Sequence, residues 1–233
     1  MSDQAAAVPF IHVLALGLDP AWRRLPYEQR CDDARELTFA DRAAAEQGVS
    51  SVTYSSVGLE PGVDLLLWRA GPSIEALERA AGRILSSGLG QWLEVRHAFL
   101  SRLGPSQYVT KASEQEQGLF SGDRARYLVV YPFTKSTDWY LLSREARQGV
   151  MNEHMRVGRD YPQVRQALGY SFGLDDQDFL VAYETDDLVA FGELVRALRG
   201  TESRRSTVRD TPILLGVHRS LDEITGLLGG ESE

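Results

Sequence analysis

Cysteine is almost missing from this chain of 233 residues, with Cys31 standing alone. A single thiol can form no internal disulfide and cannot by itself build a zinc or iron–sulfur site, so a reducing, cytoplasmic setting is expected. Long apolar runs are missing too. The most apolar stretch, Ala5–Leu18, is broken by Pro9 and His12, is too short for a bilayer and follows Asp3 rather than a basic segment. Neither a signal peptide nor membrane insertion is therefore expected. Positive charge is in deficit: 25 Lys and Arg against 33 Asp and Glu leave a net charge of −8. That balance opposes binding to phosphate backbones or anionic lipid, which excludes nucleic acid as an expected partner. Phosphate-cradling glycine loops, H-E-x-x-H zinc motifs and G-x-S-x-G nucleophile elbows are absent as well.

What remains is ordinary globular composition, 43% hydrophobic and 25% charged, in a chain long enough for a substantial core. Its clearest feature is self-similarity. The segment from Trp22 to Arg30 aligns with Trp139 to Arg147, matching Trp, Leu, Glu and Arg. Gly58-Leu59 and Trp68 align in turn with Gly173-Leu174 and Tyr183, at nearly the same offset. Alternating and helical patterns predict strand, helix, strand, strand, helix, strand in each half. In the first half these fall at Phe10–Leu16, Pro26–Gln47, Ser51–Val57, Val63–Arg69, Ser73–Leu85 and Trp92–Ser101. In the second, strands are expected at Tyr127–Phe133, Leu168–Phe172, Phe179–Tyr183 and Ile213–His218, with helices at Arg144–Tyr161 and Leu188–Leu198. The expected fold is α+β, two ferredoxin-like repeats of the dimeric α+β barrel type, over 1–110 and 127–233. The polar, aperiodic segment 111–126 is the expected connector.

Of the four histidines, His12, His97 and His218 lie in or at the ends of strand patterns and read as structural or surface groups. His154 lies mid-helix on the stripe Ala146, Val150, His154, Val157, Tyr161. A buried imidazole needs polar partners for its nitrogens, or a metal for one of them. Spacing alone leaves both open, a satisfied core histidine or a metal ligand. Too few other ligands lie near for a purely protein-bound transition metal, so a metal here would come with its own equatorial ligands, as in haem.

Residues Tyr127–Arg219 resemble the chlorite dismutase superfamily. The motifs that carry the resemblance are Tyr131-Pro-Phe-Thr-Lys135, Asp138-Trp139-Tyr140, Glu153-His154 with Gly158-Arg159, Ser171-Phe-Gly-Leu-Asp-Asp176 and Thr211-Pro-Ile-Leu-Leu-Gly216. The N-terminal half shares it only through architecture and the repeat. The resemblance implies bound haem or coproheme, His154 as proximal iron ligand and Glu202 as the carboxylate bonded to its other ring nitrogen. It also implies Trp139 beside the porphyrin, Lys135, Arg159 and Tyr108 near propionates, and a homo-oligomer, often a pentamer.

Two branches of that superfamily differ in ways these residues address. Chlorite dismutases hold an arginine over the distal face of the iron, whereas one large branch of coproheme decarboxylases has glutamine there. Counting back from Gly173 by the family's interval reaches Gln166, but the interval from His154 is one residue shorter than in both branches and Arg165 is adjacent, so the resemblance leaves either as the distal group. Tyr131 matches the tyrosine that decarboxylases oxidise. The loop from Lys135 to Trp139 instead has the dismutase length. The expected activity is the peroxide-driven conversion of iron-coproporphyrin III to haem b. The alternatives are chlorite dismutation with Arg165 distal, or haem binding without turnover.

Overall fold

The computed structural model describes residues 9–104 and 123–230. The chain divides into two compact units, one of residues up to Leu103 together with those from Leu215 onward, the other Gly104–Leu214.

In the first unit, strands β1 (Phe10–Leu18), β2 (Ser50–Glu60), β3 (Val63–Gly71) and β4 (Leu93–Leu103) surround helices α1 (Tyr27–Arg42) and α2 (Ile74–Ser86) in the chain order βαββαβ. β1 pairs antiparallel with both β3 and β4, and β2 pairs with β3, giving the ferredoxin-like order β4-β1-β3-β2. Its helix-facing side is closed by leucines: Leu14, Leu16, Leu65 and Leu67 of the sheet meet Leu37, Ile84 and Leu89, with Trp22 fully buried among them. Close interdigitation of this kind leaves little room for a ligand.

The chain ends in a last strand, β9 (Leu214–His218), and a helix, α6 (Leu221–Leu228). The sequence pattern places them within 127–233, and by packing the residues from Leu215 onward group with the first unit. The causes are local. β9 pairs with β2 at Tyr54↔His218 and Ser55↔Val217. Ser56 Oγ donates to the Leu215 carbonyl at 2.6 Å and Thr53 Oγ1 to that of Arg219 at 2.6 Å. α6 then buries Leu221, Ile224 and Leu228 against the leucine core.

The second unit holds β5 (Tyr127–Lys135), α3 (Thr137–Leu141), α4 (Arg144–Arg159), β6 (Arg165–Tyr170), β7 (Phe179–Thr185), α5 (Leu188–Arg199) and the short β8 (Thr207–Arg209). All pairings are antiparallel in the order β6-β7-β5-β8. The repeat is visible in the backbone: Gly58 and Gly173 both adopt left-handed φ, 72° and 71°, a conformation that glycine adopts without steric cost. One proposed equivalence slips by a residue. Tyr183 packs on Phe191 of α5, whereas Trp68 follows the helix-facing Leu67 and so points to the other side of its sheet.

Candidate functional site

Side-chain alternation and register decide what faces what in the second unit. β6, β7 and β5 align in rows: Gln166 opposite Tyr183 opposite Val129, Leu168 opposite Val181 opposite Tyr131, and Tyr170 opposite Phe179 opposite Phe133. Paired residues share a face, and Tyr183 and Val181 pack with Leu194 of α5, so these rows look toward the helices. Phe133 stacks on Phe179 at 4.7 Å between ring centroids, and Tyr131 lies beside Tyr183 at 6.0 Å and 28°. The result is an aromatic floor.

Above it the roof is loose. α4 begins at the Ser143 cap, whose side chain accepts from the Ala146 N–H, and ends with Arg156 and Arg159 in its last turn, where they complement the helix dipole. It buries none of its residues, whereas α1 buries Cys31, Ala34, Leu37, Thr38 and Ala40. Beneath α4 and α5 lies a cavity of about 130 Å³ lined by Tyr131, Lys135, Met151, His154, Tyr183 and Arg204, among others. A second, of about 230 Å³, is lined by Trp139, Tyr140, Arg147, Leu168, Tyr170, Phe172 and Phe179.

His154 enters the first cavity from α4, and its Nδ1 is buried with no hydrogen-bond partner among the described residues. Burial, reinforced by the charge of Lys135 and opposed by Glu153, lowers its pKa from 6.5 to about 4. The ring is therefore neutral at physiological pH, the form that coordinates a metal. Lys135, at the end of β5, is 8% exposed. Its ammonium donates to the Ser203 carbonyl at 2.9 Å, Ser203 Oγ at 3.1 Å and Thr207 Oγ1 at 3.0 Å, and sits 4.8 Å from the centroid of the buried Trp139 ring. Burial first and Arg204 second pull its pKa down to about 8. A buried ammonium held only by neutral groups is a ready receptor for a carboxylate. Burial also raises the pKa of Tyr131, with Tyr183 as its hydrogen-bond partner.

The remaining sequence-predicted residues divide. Gln166 is half-buried on the helix-facing side, in the row next to that of Tyr131, without lining either cavity. Arg165 faces the other way, paired through Nη2 with the fully buried Glu184 carboxylate at 3.1 Å and donating to the Asp123 carbonyl at 2.8 Å. Arg159 is exposed at the end of α4, away from both cavities. Glu202 is not brought to His154. Its carboxylate lies 3.4 Å from Arg205, and its backbone N–H donates to Glu153 at 2.9 Å. Tyr108 lies outside the described residues.

Sequence reasoning overlooked Arg147, Met151, Arg199, Arg204 and Asp210. The first two carried a usable signal, since Arg147, Met151 and His154 follow the four- and three-residue spacing of one helix face. Arg204 and Asp210, bonded at 2.5 Å, flank the short β8, where no periodicity marks them.

A sequence model of the chlorite dismutase family matches residues 28–219. The chain belongs to that family. Within the chlorite dismutase family, it is 28% identical over 203 residues to the coproheme decarboxylase of Mycolicibacterium smegmatis, covering 86% of this chain and 87% of the relative. Chlorite dismutase from Candidatus Nitrospira defluvii in complex with imidazole superposes with a TM-score of 0.88 at 27% identity, covering 97% of each chain. A W-to-F mutant of the same enzyme, in complex with cyanide, gives 0.87 at 26%, covering 98% of this chain and all of the other. The mixed α+β fold with antiparallel strands is thus that of the chlorite dismutases. No helix of the described residues is long and apolar enough to cross a membrane.

Proposed function

We propose that the protein binds iron-coproporphyrin III and, with hydrogen peroxide, oxidatively decarboxylates two of its propionates to give haem b. The observation that carries the choice of branch is the opposite facing of Gln166 and Arg165. The glutamine shares the side of the sheet that bears Tyr131, while the arginine is committed to Glu184 on the reverse side. A neutral amide offers a hydrogen bond over the porphyrin without the positive charge that would retain an oxyanion such as chlorite. The decarboxylase relative supports the same reading.

The residues suit such a group. An unpartnered, neutral imidazole on one wall, a buried ammonium and an aromatic floor together fit iron, propionate and macrocycle. Each cavity is smaller than a porphyrin, so binding would merge them by displacing side chains beneath α4, none of whose residues is fully buried.

Bound iron supplies the site where peroxide is reduced. His154 would hold the metal, and burial keeps its ring free of a competing proton. Lys135, with Arg204 on the same cavity wall, would hold propionate carboxylates against Tyr131. Tyr131 is the oxidisable phenol at that wall, braced by Tyr183. For each vinyl formed, the propionate gives up carbon dioxide, two electrons and a proton. Peroxide takes up two electrons and two protons to become two waters.

Chlorite separates this reading from the dismutase alternative. The haem-loaded protein should release little dioxygen from chlorite, and Arg165→Ala should leave coproheme turnover within about twofold of wild type. Sustained dioxygen release that Arg165→Ala abolishes would reverse the assignment. A homo-oligomer and a cytoplasmic location belong to the same proposal, and native mass spectrometry of the purified protein tests the first of them.

A further inference from the structure

The second cavity has no part in the account above except as space, yet one charged side chain, Arg147, lines it. Its Nε is buried without a hydrogen-bond partner, and no ion pair among the described residues engages it. Leu168, Tyr170 and Phe179 line the same cavity, and a guanidinium nitrogen buried beside such apolar walls is costly to leave unmatched. Arg147 precedes His154 by seven residues, two helical turns, so both side chains leave α4 on the same face about 10 Å apart along the axis. The cavity lies over β6 and β7, whereas Tyr131 and Lys135 belong to β5, one strand spacing from β7 and two from β6, about 5–10 Å, with the Trp139 ring between Lys135 and the cavity.

We propose that Arg147 binds a peripheral carboxylate of the porphyrin at the edge remote from Tyr131, one that the reaction leaves in place. The inference rests on the coproheme reading of the site and names its second anchor. Lys135 holds the reacting edge, and Arg147 holds the retained edge with the planar, two-pronged geometry that suits a carboxylate. Substrate and product then share this contact, and it fixes which propionates are presented to Tyr131.

Three probes test it by equilibrium titration of the full chain, read at the Soret band: iron-coproporphyrin III, haem b and iron octaethylporphyrin, which has no carboxylate. Arg147→Met, which keeps the apolar stem, should weaken the first two alike by about tenfold or more, the scale of one charge-assisted hydrogen bond. It should leave the third unchanged, and the His154-dependent spectrum of all three intact. Arg147→Lys should fall between Met and wild type. Equal weakening of all three probes would make Arg147 a packing residue and overturn the proposal, as would unchanged affinity for coproheme. Weakening of coproheme alone would put Arg147 on a reacting carboxylate and overturn the assignment to the retained edge. Failure of the wild type to bind any probe through His154 would instead sink the porphyrin reading itself, and this inference with it.

Discussion

His154 and Tyr131 enter one cavity from opposite walls, one from a helix and one from a strand, and their substitutions should have opposite signatures. His154→Ala removes the imidazole and should weaken coproheme binding at least about tenfold, with the axial-ligand spectrum lost; unchanged affinity and spectrum would contradict the assignment. Tyr131→Phe removes only a hydroxyl and keeps the ring packed on Tyr183. Binding should survive while decarboxylation falls by orders of magnitude and coproheme accumulates, as chromatography with mass detection would show. Lys135 makes a prediction about pH. Its folded pKa, about 8 against 10.5 unfolded, means that between those values the unfolded chain binds more protons, so stability rises with pH across that window. The urea midpoint of the apoprotein should therefore gain on that of Lys135→Met between pH 8 and pH 10, and a constant difference would contradict the burial of the charge. The family motifs singled out Tyr131, Lys135 and His154, and the structure brings these three to one cavity. The surroundings of Glu202 were not legible, because nothing in the chain forecasts that it lies against Arg205 in a 3-10 turn.

Among the elements, α4 carries the consequences. A helix with no fully buried residue should be held less firmly by packing, so its amides should exchange faster than those of α1 and slow markedly when coproheme fills the space beneath. Gly149 lies within α4 with open space around an added Cβ. Gly149→Ala should raise apoprotein stability by about 0.5–1 kcal/mol without weakening coproheme binding, a change that urea unfolding resolves. The bounds of α4 and α5 were legible because polar caps precede amphipathic runs. β6 was placed too late, at Leu168–Phe172 instead of Arg165–Tyr170. Tyr170, the last residue of the strand, and Phe172 beyond it form an aromatic cluster that marks its end, while the strand starts at polar Arg165 and Gln166. That shift matters for function, because it is the register of β6 that sets Gln166 and Arg165 on opposite faces.

For the whole molecule, duplication explains the division of labour. Both halves follow the same element order, but the first fills its helix–sheet space with leucines and Trp22, while the second leaves that space lined by aromatics, a histidine and a buried lysine. The repeat was legible from matched Trp and Gly positions. The crossing of the C-terminal segment into the first unit was not, since Leu221, Ile224 and Leu228 announce a helix but not the core that receives them. The central claim is that the open half converts coproheme to haem b. The most direct test is to load the wild-type protein with iron-coproporphyrin III, add peroxide in steps, and follow the porphyrin mass. Two successive losses, each of a carboxyl group with one hydrogen and ending at haem b with about one peroxide consumed per loss, are the expected result; coproheme that is only bleached, or left intact at every peroxide dose, would contradict the claim.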